Sequence, residues 1–155
     1  MKKMNNKGFS LVELIVVVLI MAIIAVALAP QVMKWVENSR KSTDCNNYDS
    51  VVSAVNLALA DENVLKSLGD NKLTLTWPAK TTGTGAKWSF TDPDATNKYF
   101  TKKLQEILGN NWQDEILIKR TSGFTDTKGN NVDWSIEVLK GTVTRAAAPS
   151  SKDIS

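Results

Sequence analysis

The 155-residue chain contains no histidine and a single cysteine, Cys45. Without histidine it lacks the usual general base near neutral pH, the serine–histidine–aspartate arrangement and the commonest zinc ligand. One cysteine excludes an intrachain disulfide and a thiolate metal cage. Cys45 therefore reads as a small structural residue, and the chain must hold itself by packing, which its length allows. A phosphate-binding glycine loop is missing too. The Gly/Thr-rich AKTTGTGAK at residues 79–87 has the wrong spacing and reads as a connection. Together these absences speak against an enzyme.

An excess of basic charge over the folded part is also lacking. The formal net charge is +3, but Lys2, Lys3 and Lys7 supply three of the 19 basic residues. Setting those three aside leaves 16 basic residues against 16 acidic ones. No basic stripe remains to carry a specific nucleic-acid site. What the chain does have is 43% hydrophobic residues and five tryptophans, which excludes global disorder.

The longest unbroken concentration of apolar residues lies near the start. Residues 7–30 read KGFSLVELIVVVLIMAIIAVALAP. From Phe9 to Ala29 there are 21 residues with one charge among them, Glu13. Such a run gives roughly 31 Å of helix, enough to span a hydrocarbon core. A secretory signal peptide would instead place a small-residue cleavage site after a shorter apolar segment. Three lysines before the run, with only Lys34 soon after it, predict an N-terminus in the cytoplasm and the remainder outside. A carboxylate at the centre of a membrane helix costs about 2.5–3.5 kcal/mol. Near the cytoplasmic boundary, where Glu13 falls, snorkelling lowers that cost without abolishing it. A cation supplied by another subunit is the sharper account. An amine released at Phe9 by cleavage after Gly8 would be positive near neutral pH and would suit that role.

MKKMNNKG followed by FSLVELIVVVLIMAIIA resembles the class III prepilin leader and N-terminal helix of type IV pilins and type II secretion pseudopilins. The resemblance covers residues 1 to about 30. It implies cleavage by a prepilin peptidase between Gly8 and Phe9, followed by N-methylation of Phe9. It further implies that Glu13 guides docking and neutralises a neighbouring Phe9 amine. Pro30 matches the proline that ends the membrane-proximal half of the helix in many such subunits, where the missing donor is expected to kink it. A proline there removes a backbone donor and opens the helix near residues 26–30, or simply ends it at the membrane surface.

The resulting division is a cleaved leader at 1–8, a transmembrane and filament-core helix at 9–30, and a headpiece at 31–155 that includes the second half of the long helix. Tyr48, Val52, Val55 and Leu59 recur at helical spacing and predict that the helix continues to about Ala60. Residues 37–47, ENSRKSTDCNN, are polar all round and read as solvated or as subunit contacts. A second helical piece runs from Asp61 to Leu68 and stops at Gly69. Leu73 to Trp77 alternates as a strand before Pro78, and Trp88 to Phe90 suggests a short one. A helix is expected over Thr96 to Gly109, with strands at Glu115 to Thr121 and Trp134 to Thr144. The tail, residues 146–155, reads as mobile. The fold expected is α+β: a long N-terminal helix, its first half membrane-spanning, packed on a small antiparallel sheet.

Three headpiece features invite functional readings. Asp126, Asn130 and Asp133 surround a glycine turn with oxygen ligands suited to Ca²⁺, but the spacing is not that of an EF-hand, and a solvated turn accounts for them. Trp77, Trp88, Trp112 and Trp134 would serve a carbohydrate surface or, more simply, fill a core. Asp114 and Glu115, adjacent in an expected strand, point to opposite faces and make no catalytic pair.

The expectation is a structural subunit without cofactor. It is held in the cytoplasmic membrane as a precursor and then assembled with itself and other pilin-like subunits into a surface filament by pilus or secretion machinery. A secretion pseudopilin is the alternative, and a membrane-tethered binding protein a more distant one.

Overall fold

A computed structural model describes residues 9–78, 87–91, 98–116 and 130–147. Helix α1 spans Leu11–Leu59 and has Pro30 inside it. The proline does not terminate the helix, although its missing N–H removes the bond that the Val26 carbonyl would accept. The chain divides into two compact units, residues 1–36 and 37–155.

In the first unit, α1 exposes apolar side chains on every side, from Leu11 and Val12 through Val26 and Leu28 to Trp35 and Val36. The β-branched run from Ile15 to Val18 is poor material for an isolated soluble helix. A helix apolar all round needs lipid or other helices about it.

In the second unit, the remainder of α1 is amphipathic. Tyr48, Val51, Val52, Val55, Ala58 and Leu59 are buried on one stripe, while Asp49, Ser50, Ser53 and Asn56 face outward. Helix α2, Glu62–Leu68, follows at once. Its N-cap is Asp61, whose Oδ1 accepts from the Asn63 N–H at 3.0 Å, and Gly69 ends it with φ of 53°. Strand β1 (Lys72–Trp77) buries Leu73, Leu75 and Trp77 on alternate positions. Next come the short β2 (Ser89–Thr91), α3 (Lys98–Leu108) and the single-turn α4 (Trp112–Glu115). Strands β3 (Trp134–Leu139) and β4 (Thr142–Ala147) complete the described chain.

The four strands form one antiparallel sheet in the order β2-β1-β3-β4. This is the α+β arrangement that the sequence leads one to expect. One face of the sheet lies in a core shared with α1, α2, α3 and α4, through Val64, Leu68, Phe100, Leu104 and Trp112. The last strands are fixed without a disulfide. β3 is paired on both sides and sends Trp134, Ile136 and Val138 into the core.

Some expectations need correction. The segment 134–144 is a hairpin and not one strand, because Lys140 and Gly141 take positive φ (51° and 72°) and reverse the chain in two residues. Glu115 closes α4 where a strand had been expected to begin; residues 117–121 lie outside the described residues. Ala146 and Ala147 belong to β4, so the ordered chain extends into the expected tail. The polar stretch 37–47 is not uniformly solvated either. Asp44 is fully buried and Cys45 is half-buried against the core. Asp44 lies one helical turn before Tyr48 and shares its inward face.

Candidate functional site

The region to which the sequence directs attention is the first turn of α1. Ser10 precedes the first helical residue, and its carbonyl accepts the first helical bond, from the Leu14 N–H at 3.2 Å. Glu13 is the third helical residue, and its Oε2 accepts from the Ser10 N–H at 2.9 Å. This is the glutamate half of a capping box, S-x-x-E, in which the acid satisfies a donor that the helix cannot. Glu13 also faces the positive end of the helix dipole.

The carboxylate in the apolar run therefore has an intrachain partner. The sequence carries that signal in Ser10-Leu-Val-Glu13, and reading the run only as a membrane span overlooks it. A carboxylate offers about four lone-pair sites. One bond to Ser10 leaves capacity for a cation brought by another molecule. Phe9 precedes this turn and is 84% exposed. Gly8 lies outside the described residues.

The headpiece candidates resolve differently. Trp77, Trp88, Trp112 and Trp134 are all at most 3% exposed, so none presents a ring for stacking on a sugar. They form a cluster around Tyr48. Trp77 stacks on Trp88 with ring centres 4.9 Å apart, and Trp134 meets both Trp77 and Tyr48 edge-on at 5.5 Å. Trp77 and Trp134 are direct cross-strand partners in β1 and β3. The Tyr48 hydroxyl donates to the Ser135 carbonyl at 3.1 Å, beside the bulge in the β3–β4 ladder.

Asp114 and Glu115 are exposed on α4, and Asp114 pairs with Lys87. An open groove lined by Ser50, Ala54, Leu57, Ile107 and Leu108 has Asp49 as its one ionisable lining side chain among the described residues. It offers no acid–base pair. Of the calcium candidates, Asn130 and Asp133 are exposed and Asp126 lies outside the described residues.

One polar network joins two helices. Lys103 on α3 reaches Asp61, the α2 cap, and Glu106, each at 3.3 Å. The Asn63 backbone N–H and then Lys103 hold the Asp61 carboxyl below its ordinary range, and Asp61 and Glu106 hold the Lys103 ammonium above its own. Both groups lie near the surface, so the network orients α3 against α2 and adds little stability.

Comparison with known proteins bears on the first turn of α1 and on the run that follows it. Neither the curated proteins nor the solved structures include a match to this chain. Residues 3–29 match the prokaryotic N-terminal methylation motif. This is the leader signature of class III prepilins, and it implies processing by a prepilin peptidase. Helix α1 is long and apolar enough to cross a membrane, with no residue of its most apolar window buried. Over residues 3–29, then, the chain has the leader signature of type IV pilins and pseudopilins.

Proposed function

We propose that the chain is a structural subunit of a type IV pilus-like filament. Its precursor sits in the cytoplasmic membrane with the N-terminus inside. Cleavage between Gly8 and Phe9 and N-methylation of Phe9 prepare it for extraction into a stack of apolar helices. The observation that carries this reading is the exposed apolar surface of α1, most of it inside the matched methylation motif and interrupted by one carboxylate at its first turn. Lipid shelters that surface in the precursor, and helices of other copies shelter it in the filament. Glu13, already holding the Ser10 N–H, would accept the Phe9 amine of a neighbour with its remaining lone pairs.

A pseudopilin of a secretion system is the second reading. It is favoured by a C-terminal region closed through β3 pairing and core packing instead of a disulfide.

N-terminal and intact mass spectrometry on native membrane and sheared-surface fractions tests both. A chain beginning at N-methylated Phe9 and enriched in sheared material supports the external filament. The same chain confined to the envelope supports the pseudopilin. A chain still beginning at Met1, with its peptidase present, overturns both.

A further inference from the structure

The apolar surface of α1 does not stop at Pro30. Val32, Met33, Trp35 and Val36 are exposed by 46%, 74%, 65% and 44%, and the sequence turns continuously polar only at Glu37. At 100° per residue, Leu28, Val32, Trp35 and Val36 share an arc of roughly 100°, and Gln31 and Lys34 fall outside it. Trp35 also stands apart from the other tryptophans, all of which are buried in the headpiece.

Distance along the helix gives this patch a place. With Leu11 at one edge of a hydrocarbon core of about 30 Å, a rise of about 1.5 Å per residue puts Ala29 roughly 27 Å away, just inside the far edge. Trp35 comes roughly 36 Å from Leu11, beyond the acyl chains but within the headgroup layer. An indole has an apolar body and one N–H donor, which suits a layer that is wet on one side and apolar on the other. Lys34, exposed beside it, has a stem long enough to lie along the apolar layer and an ammonium that pairs with lipid phosphate.

We infer that Trp35 and Lys34 form the outer interfacial anchor of the membrane-held precursor, seated in the headgroup layer of the leaflet opposite Glu13. The membrane-facing segment then extends to Val36, and the anchor sets how deep the helix sits before assembly. This rests on the membrane-precursor reading above.

The test reconstitutes the full-length precursor in phosphatidylcholine–phosphatidylglycerol vesicles with bromine on the acyl chains, either near the glycerol end or near the methyl end. Subtracting the emission of a Trp35→Phe variant isolates Trp35, because the four buried tryptophans contribute the same background to both. Shallow bromines are expected to remove most of the Trp35 emission and deep bromines little of it, independently of protein-to-lipid ratio. Stronger quenching by deep bromines would put Trp35 in the hydrocarbon and overturn the anchor. Absence of quenching by either would put it in water and do the same. Protection from bromine that appears only at high protein-to-lipid ratio would mean that a second copy covers the patch, which also refutes the inference. Alkaline carbonate extraction of the same vesicles separates the two levels. A chain that is retained but has unquenched Trp35 refutes the anchor alone, and a chain that is extracted refutes the membrane reading with it.

Discussion

Tyr48 is the residue by which helix α1 grips the sheet, and its removal can be divided into parts. The side chain is fully buried, its ring faces Trp134 at 5.5 Å and Trp88 at 6.1 Å, and its hydroxyl donates to the Ser135 carbonyl. Tyr48→Phe keeps the ring and removes the hydroxyl bond, at an expected cost of about 0.5–1.5 kcal/mol. Tyr48→Ala removes the ring as well and leaves a cavity between α1, β3 and Trp88. Core aromatic truncations of this kind cost about 3–5 kcal/mol. Against a typical stability of about 5–15 kcal/mol, the first variant stays folded and the second approaches the threshold. Urea titration of the full-length chain in mild detergent, followed by tryptophan emission, reads both. With a slope of about 1–3 kcal/mol per molar urea, Tyr48→Phe lowers the midpoint by about 0.2–1.5 M and Tyr48→Ala by several times as much. A Tyr48→Ala midpoint no lower than that of Tyr48→Phe would refute the claim that the aromatic cluster, and not the hydroxyl, holds the helix to the sheet.

Other outcomes follow from the same geometry. Glu13→Ala is expected to leave the precursor inserted and cleavable while sharply reducing filament yield, scored by shearing; undiminished yield would leave Glu13 with its capping role alone. Asp61→Asn keeps the α2 cap but not the charge. The folded carboxyl is depressed below an ordinary value near 3.8, so the wild-type advantage is present above that value and disappears as pH falls through the folded one, which paired melts from pH 7 to pH 2 would show. Gly141→Ala places a Cβ 2.7 Å from Leu65 Cδ2 at φ of 72°, and the backbone term alone costs about 1–2 kcal/mol, visible as a lower urea midpoint. Calcium and chelator are expected to give the same melting temperature; a rise with calcium that is lost on Asp133→Asn would point to the Asp126, Asn130 and Asp133 turn.

The helices were the most legible part of the sequence. The spacing of Tyr48, Val52, Val55 and Leu59 predicts the buried stripe of α1, and Asp61 and Gly69 mark both ends of α2, because capping chemistry is local. The β3–β4 hairpin was hidden for an equally local reason. Lys140 is an unusual choice for a positive-φ position, so Lys-Gly gives a weaker turn signal than Asn-Gly. The burial of Asp44 depends on which way the helix faces the sheet, and a polar run cannot reveal that. At the first turn of α1 the residues were legible and one interaction was missed: four consecutive letters contain a capping box, but the apolar run around them draws the eye to the membrane.

The order of strands in the sheet also bears on how the molecule is made. β1 ends at Trp77, and its central partner β3 begins only at Trp134, so the main pairing of the headpiece joins distant parts of the chain. Long-range pairing of this kind is slow, because loop closure must precede the contacts that reward it. During synthesis the N-terminal helix emerges first, and the sheet cannot close until the C-terminal hairpin has followed it. A chain interrupted before residue 134 would carry the whole apolar helix and the methylation motif, yet have Leu73, Leu75 and Trp77 on a strand without its central neighbour. Completion of the headpiece thus distinguishes finished chains from truncated ones, and only finished chains carry the complete sheet.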